Sequence, residues 1–285
     1  MPGITTADEN EGTCGSDVLT DRAAPAAQRI ADLAKVSGRP SKSLLVEDPE
    51  TLLNALRAGL RFSSVYLLDS AEPPQEVLDE CAKQGVPVTV MAASLATELF
   101  RSDKRPEVFG VARVPAPVDP AQLVAGDGDL LILDGVRIVG NIGAIARSAY
   151  AFGAAGIVLV DSGLASVADR RLIRASRGYV FSLPVALMDW PQVHALAADF
   201  VRSGGHVAAL DAGATGSLDR LAAWEGRLAL IVGAETSGLT PRARALAQAT
   251  VSIPMNPAVE SLNVSVAAGV LLHRRAWRNL SAAAK

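Results

Sequence analysis

Residues 130–147 read LLILDGVRIVGNIGAIAR, and the predicted fold follows from them. The first four residues are apolar without polar alternation, which is typical of a strand in a parallel sheet that helices cover on both faces. Glycines and an alanine-rich helical stretch come next. Because the loops after the strands bind ligands in open α/β sheets, Asn141 and Arg147 are candidate functional residues. The alternative is an ordinary glycine turn that Asn141 caps, with Arg147 in solvent.

Five further apolar runs in the second half of the chain resemble the first one, and helical stretches separate most of them. The six runs span residues 130–133, 157–160, 185–187, 207–210, 228–232 and 251–253. This alternation predicts an α/β domain with a parallel sheet over residues 128–285.

The first half of the chain also alternates between short strands and helices, which predicts a compact α/β/α domain over residues 23–114. Three prolines punctuate the polar segment 115–127, which we expect to be a linker between the two domains. Residues 1–22 are rich in glycine, threonine and acids and contain few apolar residues. We therefore expect a disordered acidic tail there.

The formal net charge of −3 is unusual for a protein that binds nucleic acid, but the acidic tail accounts for it. Without residues 1–21 the chain carries 27 basic and 25 acidic residues. RNA contact would therefore come from local basic patches, for which solvated helix faces are the alternative. The candidate RNA-binding residues are Lys42, Arg105, Arg113, Arg170, Arg174 and Arg177.

The remaining composition excludes several classes of protein. The two cysteines and three histidines show no spacing typical of a disulfide framework or a metal site, so no metal is expected. No apolar run approaches the length of a membrane span and no signal segment is recognised, which favours a cytoplasmic protein. The glycine patterns of dinucleotide-binding and phosphate-binding loops are absent. The interpretation as a dinucleotide-dependent enzyme would depend on Asp161 alone, which comes at the end of the run 157–160.

Two more segments place polar residues after predicted strands. Residues 229–238 read ALIVGAETSG and set Glu235 between two glycines, where an acid at a helix N-terminus is the alternative. Residues 253–266 read IPMNPAVESLNVSV, in which Ser261 is a predicted helix N-cap. Core packing explains most of the helix that follows, but Asn263 is a weak helix former in a first turn and is a further candidate.

Taken in order, the three segments resemble the three motifs of the SpoU (TrmH-like) ribose methyltransferases over residues 129–280. The resemblance implies a SPOUT fold, in which a trefoil knot holds S-adenosyl-L-methionine. It also implies a homodimer whose site is completed across the interface. The implied catalytic residues are Asn141, Arg147, Glu235, Ser261 and Asn263. The implied cofactor-binding residues are Leu210, Asp211, Gly233, Ala234, Glu235, Ile253, Met255, Leu262 and Asn263.

A narrower resemblance covers nearly the whole chain outside the tail. KSLLVED at 42–48, VFGVARVP at 108–115, ADRR at 168–171 and YVFSLP at 179–184 are similar to the thiostrepton/nosiheptide-resistance methyltransferases. This implies a ribosomal-protein-like RNA-binding first domain and a role for Arg177 in substrate or cofactor handling. The implied target is one adenosine in the GTPase-associated region of 23S rRNA, where thiopeptides bind. The chain departs from the usual Ser-Glu-Lys-Gly of that family at Ala234, Thr236 and Ser237.

Two other functions stay open at this point. The same chemistry would serve a ribose methyltransferase that acts on tRNA or on another rRNA site. A non-catalytic RNA-binding protein would retain the fold without the activity, although the complete set of motif residues argues against loss of the site. Binding of S-adenosyl-L-methionine separates the enzymes from the non-catalytic protein.

Overall fold

The computed structural model describes residues 18–35, 41–100 and 105–283, without the side chains at 220, 222, 223 and 277–283. The first half of the chain forms one sheet with its helices, and the second half forms another. The elements of the first half are α1 (Pro25–Ala34), β1 (Ser43–Glu47), α2 (Pro49–Arg57), β2 (Phe62–Leu68), α3 (Gln75–Gln84), β3 (Val88–Met91), α4 (Ala93–Phe100) and β4 (Val108–Arg113).

The first sheet is mixed and has the strand order β1-β4-β2-β3. β4 is antiparallel to both β1 and β2, whereas β2 and β3 are parallel. Helices α2 and α3 cover one face, where Leu52 and Val77 are buried, and α1 and α4 cover the other, around Ile30 and Leu95. The predicted α/β/α architecture is confirmed.

The second half contains α5 (Pro120–Ala125), β5 (Leu130–Asp134), α6 (Val139–Ala151), β6 (Gly156–Val160), α7 (Arg170–Ala175), a 3₁₀ turn (Tyr179–Phe181), β7 (Val185–Met188), α8 (Trp190–Arg202), β8 (His206–Leu210), α9 (Leu218–Ala223), β9 (Leu228–Gly233), α10 (Pro241–Leu246), β10 (Ala249–Val251) and α11 (Val264–Ala283). All six strands are parallel, in the order β10-β8-β9-β5-β6-β7. Each predicted run is a strand, although the last strand ends at Val251 and not at residue 253.

Alternate residues of the central strand β5 enter two different cores, which explains why the run lacks polar positions. Leu131 and Leu133 are buried in the core that also holds the inner faces of α6 and α11. Leu130 and Ile132 are buried in the core beneath α5 and α8. Side chains alternate across a strand, so a sheet with helices on both faces needs apolar residues at every position.

The predicted tail ends earlier than residue 22. Residues 1–17 lie outside the described residues, but Leu19 pairs with the edge of the first sheet. Its backbone N–H donates to the carbonyl of Val90 at 2.8 Å, and its own carbonyl accepts from the N–H of Ala92 at 3.0 Å. Leu19 therefore belongs to the first domain.

The predicted linker 115–127 contains the short helix α5. Asp119 caps this helix by accepting from the N–H of Ala121 at 2.9 Å, and Pro120 suits its first turn. Leu123 is fully buried in the core beneath the second sheet. The segment is thus packed against the second domain, and its last proline, Pro120, marks a helix start.

Helix α7 of the second domain contacts the first domain through Arg170. Its Nε donates to Oε2 of Glu47 at 2.8 Å, and its Nη2 donates to Oε1 of the same carboxylate. The guanidinium also donates to the carbonyl of Ala34 at 3.2 Å and lies 5.8 Å from the ring centre of Phe100. Because Glu47 is only 7% exposed, this ion pair is a fixed contact between the domains.

Gly143 allows α6 to pack closely against the end of α7, and its replacement tests that packing. A Cβ at this position would lie 2.5 Å from the backbone carbon of Ala175 and 2.7 Å from the backbone nitrogen of Ser176. We expect Gly143→Ala to lower the free energy of unfolding by about 1–3 kcal/mol, because backbone has to move to relieve the overlap. Urea unfolding followed by circular dichroism would measure the change.

Gly140→Ala is the matched control, since Gly140 lies in the same helix and a Cβ there meets no atom within 4 Å. It should leave the stability unchanged or raise it by about 0.5–1 kcal/mol, as expected for alanine in place of glycine within a helix. If the two variants lost equal amounts of unfolding free energy, the close packing of α6 on α7 would be contradicted.

Candidate active site

The carboxyl edge of the second sheet brings the three sequence motifs together. β5 and β9 are neighbours in this sheet, with Asp134 opposite Gly233. β8 lies between β9 and β10, with Leu210 opposite Val232 on one side and Val251 on the other. The loops that follow these four strands therefore begin side by side, at the edge where open α/β sheets bind ligands.

Asn141 lies in the first turn of α6, whose N-cap residue is Ile138. Asn141 thus does not cap a glycine turn. Its Nδ2 instead donates a hydrogen bond to Oε1 of Glu235, which is half-buried in the loop after β9. An ionised carboxylate only accepts hydrogen bonds, so it turns the amide nitrogen of Asn141 toward itself and the amide oxygen away.

Asn263 extends this arrangement from the other side. Its Nδ2 donates to Oδ1 of Asn141 at 3.3 Å. Its own Oδ1 accepts from the backbone N–H of Ser265 at 2.9 Å and from the Ser265 hydroxyl at 2.6 Å. The structure thus links Glu235, Asn141 and Asn263 into one hydrogen-bond chain at the carboxyl edge.

The N-cap predicted at Ser261 is wrong. α11 begins at Val264, and the first-turn N–H of Ser265 is satisfied by Asn263, which is therefore the capping residue. Ser261 is exposed, and its side chain has no hydrogen-bond partner among the described residues. The structure does not join Ser261 to the hydrogen-bond chain.

Asp134 is a residue of the site that the sequence reasoning missed. It is 1% exposed, and its Oδ2 accepts from the backbone N–H of Thr240 at 2.6 Å. Its Oδ1 is buried and has no hydrogen-bond partner. Asp134 therefore anchors the far end of the loop that carries Glu235. Its position as the last residue of the β5 run was a signal that could have identified it.

Arg147 is exposed and makes no hydrogen bond or ion pair with any described residue. It lies six residues after Asn141 on α6, which corresponds to about 9 Å along the helix and about 120° around it. Within one chain, Arg147 and Asn141 therefore project from different faces of the helix. The structure brings Asn141, Glu235 and Asn263 together but does not add Arg147 to them.

The apolar residues expected to bind a cofactor surround the same edge. Leu210, Ile253 and Leu262 are half-buried, and so is Met255. Leu210 ends β8, Ile253 and Met255 follow β10, and Leu262 precedes α11. Together they offer apolar side chains at the edge that carries the hydrogen-bond chain.

The loop after β9 is compact, and Asp211 after β8 is already paired. The carbonyl of Ala234 accepts from the N–H of Gly238 at 2.9 Å. A Cβ at Gly233 would lie 2.4 Å from the backbone carbon of Gly238, so this position requires glycine. Asp211 forms an ion pair with Arg244, which limits its freedom to contact a ligand.

Two of the expected RNA-binding arginines are engaged in contacts with the first domain. Arg170 is bound to Glu47, as described above. Arg177 donates from Nη1 to both carboxylate oxygens of Glu50 at 2.9 Å, and its backbone carbonyl accepts from Asn54 at 2.9 Å. These contacts were not recognisable from sequence because the partners are more than 120 residues apart.

The other basic candidates differ in their surroundings. Lys42, Arg113 and Arg174 are exposed, and their side chains make no hydrogen bond or ion pair with described residues. Lys42 and Arg113 lie close together, because Ser43 is opposite Arg113 in the β1–β4 pair. Arg105 is half-buried, and its Nε is buried without a partner.

Among the described residues, no group of three His, Cys, Asp or Glu side chains is placed to hold a metal ion. Within the same part of the chain, no helix is both long and apolar enough to cross a membrane.

Two protein families match this sequence. Residues 16–126 match the N-terminal family of thiostrepton-resistance methylases, and residues 129–273 match the SpoU rRNA methylase family. A protein of Streptomyces laurentii named 23S rRNA (adenosine(1067)-2'-O)-methyltransferase is 50% identical over 93% of this chain and 97% of its own length. A protein of Streptomyces azureus with the same name is 45% identical over 93% of this chain and 98% of its own length.

Solved structures agree with these matches. The SpoU methyltransferase AviRb of Streptomyces viridochromogenes, in complex with the cofactor AdoMet, has a TM-score of 0.74 at 26% identity over 89% of this chain and 97% of its own. An rRNA methyltransferase of Sinorhizobium meliloti has a TM-score of 0.73 at 25% identity over 93% of this chain and 98% of its own. This chain therefore belongs to the SpoU rRNA methylase family and carries the N-terminal domain of the thiostrepton-resistance methylases.

Proposed function

We propose that this protein transfers a methyl group from S-adenosyl-L-methionine to the ribose 2′-hydroxyl of one adenosine in the GTPase-associated region of 23S rRNA. The observation that carries the proposal is the Glu235–Asn141–Asn263 hydrogen-bond chain at the carboxyl edge of the sheet. The two Streptomyces relatives named for this reaction support it, since each covers nearly the whole chain. The match to the thiostrepton-resistance methylases supports a role of this modification in protecting the ribosome from thiopeptide antibiotics. The protein would act in the cytoplasm.

The residues at the carboxyl edge fit S-adenosyl-L-methionine. The half-buried Leu210, Ile253 and Leu262 suit the apolar faces of an adenosine. The buried Oδ1 of Asp134 lacks a donor, and the cofactor carries hydroxyl and amino donors. When bound, the cofactor supplies a methyl group that its sulfonium has already activated. We further propose that the trefoil knot of the family forms where the chain between β10 and α11 crosses this edge.

Glu235, Asn141 and Asn263 of the hydrogen-bond chain would hold the ribose and the surrounding loops in one geometry. Asn141 and Asn263 each keep one amide hydrogen that is not used within the chain of hydrogen bonds. Glu235 keeps acceptor sites for a ribose hydroxyl. Because each amide is oriented by its neighbour, these groups need little rearrangement when the substrate binds.

Arg147 would contact a phosphate of the target and stabilise the negative charge that develops on the ribose oxygen. A guanidinium stays protonated near neutral pH, so a role as general base is disfavoured. The exposed, unpartnered position of Arg147 leaves its planar fork free to bind RNA.

The proposed assembly is a homodimer. Arg147 and Asn141 lie on different faces of α6, so Arg147 of the partner subunit would complete each site. Val266 and Val270, one turn apart on α11, are 51% and 38% exposed and form an apolar face suited to a second copy. The first domain would select the RNA, with Lys42 and Arg113 as phosphate contacts.

Mapping of the product tests the proposed reaction and its target. We expect one 2′-O-methylated adenosine when wild-type protein and labelled S-adenosyl-L-methionine are incubated with a protein-free 23S rRNA fragment. The fragment contains the GTPase-associated region. Reverse transcription at low nucleotide concentration would locate the methylated adenosine. The same RNA with a 2′-deoxyadenosine at that position should accept no methyl group, and Asn141→Ala should methylate at least about 10-fold more slowly while still folding. Methylation of tRNA alone, or of a base, would overturn the proposal.

Arg147→Lys tests the planar guanidinium. The variant keeps the positive charge but loses the paired donors, so kcat should fall about 100-fold while cofactor affinity stays within about twofold. Single-turnover kinetics and titration calorimetry would measure the two quantities. Arg202→Lys on α8, at an exposed ion pair, is the control and should behave as wild type. Normal turnover in Arg147→Lys would remove Arg147 from the reaction.

Light scattering tests the homodimer. Val266→Glu places a charge on the exposed apolar face of α11 and should convert dimer to monomer, with loss of methylation, because a buried unpaired charge is costly. Val201→Glu is the control and should leave the dimer intact. Val201 is 38% exposed and lies on α8, the helix that covers the opposite face of the second sheet. A monomeric wild-type protein, or an active monomeric Val266→Glu variant, would contradict the proposed assembly.

A further inference from the structure

Two tyrosines form a stacked pair on the surface of the second domain. Tyr150 lies in the last turn of α6, and Tyr179 opens the 3₁₀ turn after α7. Their ring centres are 5.1 Å apart with an angle of 30° between the planes. Tyr150 is 48% exposed, whereas Tyr179 is half-buried. The inner ring thus supports an outer ring that is about half exposed.

Exposed cations lie on α6, which contains Tyr150, and on α7, which precedes Tyr179 in the chain. Arg147 precedes Tyr150 by three residues on α6, so the two side chains are neighbours on one helix face. Arg174, on the helix that packs against α6, is also exposed, and neither arginine has a hydrogen-bond partner among the described residues. The exposed ring of Tyr150 therefore has the unpaired guanidinium of Arg147 as its neighbour, and α7 carries a second unpaired guanidinium.

Two acids at or next to α7 and its contact with the first domain are paired with arginines. Asp169 accepts from Arg171, and this hydrogen bond holds the pKa of the Asp169 carboxyl below its usual value. Glu50 is bound to Arg177. A polyanion that approaches the tyrosine pair therefore meets the free guanidinium of Arg147, while Asp169 and Glu50 are each paired with an arginine.

We propose that Tyr150, supported by Tyr179, is a stacking surface for an unpaired nucleobase of the RNA substrate. The inference rests on the proposed function and deepens it, because it assigns a base contact next to Arg147, which would bind the target phosphate. RNA is recognised largely through unstacked bases in loops, and an aromatic face accepts any base. The substrate would be a folded RNA with an unpaired nucleotide close to the methylated adenosine.

Substitution of the outer ring tests this contact. Tyr150→Ala and Tyr150→Leu should raise the KM for the 23S rRNA fragment about 5- to 150-fold, the range expected for loss of one base stack. Cofactor affinity, oligomeric state and thermal unfolding should stay unchanged, and Tyr150→Phe should restore the wild-type KM. His194→Ala removes another exposed ring that lies beside an aromatic, on α8, and should have no effect.

A fluorescent base provides a readout that does not depend on turnover. With 2-aminopurine at each unpaired position of the fragment in turn, one position should be quenched on binding by wild type and by Tyr150→Phe, but not by Tyr150→Leu. If Tyr150→Ala kept both the KM and the fluorescence quenching of the wild type, the inference would be overturned. Loss of the dimer in that variant would also overturn it, because Tyr150 would then be a subunit contact. Failure of wild type to methylate the fragment would instead refute the proposed function.

Discussion

The hydrogen-bond chain from Glu235 through Asn141 to Asn263 is the constraint on which the rest of the candidate active site depends. A carboxamide has a donor end and an acceptor end, so Glu235 sets the orientation of the Asn141 amide. The oxygen of that amide in turn sets the orientation of the Asn263 amide. Asn263 ends the chain, because its oxygen is used to cap α11. Three segments that are distant in sequence are thereby held in one arrangement before any ligand binds.

The parallel sheet makes this chain possible, and Asp134 secures it. β5 and β9 lie side by side, so the loops that carry Asn141 and Glu235 start as neighbours. The loop after β9 is fixed at one end by the strand and at the other by the bond from Thr240 to Asp134. A buried carboxylate oxygen without a donor costs free energy, since a buried polar group is normally hydrogen-bonded. A ligand that offers a donor there gains that free energy on binding.

Strand positions and the polar residues after them could be predicted, whereas contacts between distant elements could not. The β5 run was recognisable because both faces of the strand are buried, and Asn141 and Glu235 were recognisable because they follow such strands. Helix α5 was missed because its prolines were interpreted as linker signals, although Pro120 suits a helix start. The cap at Asn263 was assigned to Ser261 because local sequence permits either residue, and only the position of α11 selects one.

The pairing of each arginine, rather than the number of basic residues, determines which surface can meet RNA. Arg170 and Arg177 are bound to acids of the first domain, so their charges hold the domains together. Arg275 is 10% exposed and bound to Asp129, which makes it part of the second domain's framework. Among the described residues, exposed cations without a hydrogen-bond or ion-pair partner include Arg147 on α6, Arg174 on α7, and Lys42 and Arg113 at the β1–β4 edge. A chain with a net charge of −3 can therefore present local positive potential to a phosphate backbone where exposed basic side chains have no acidic partner.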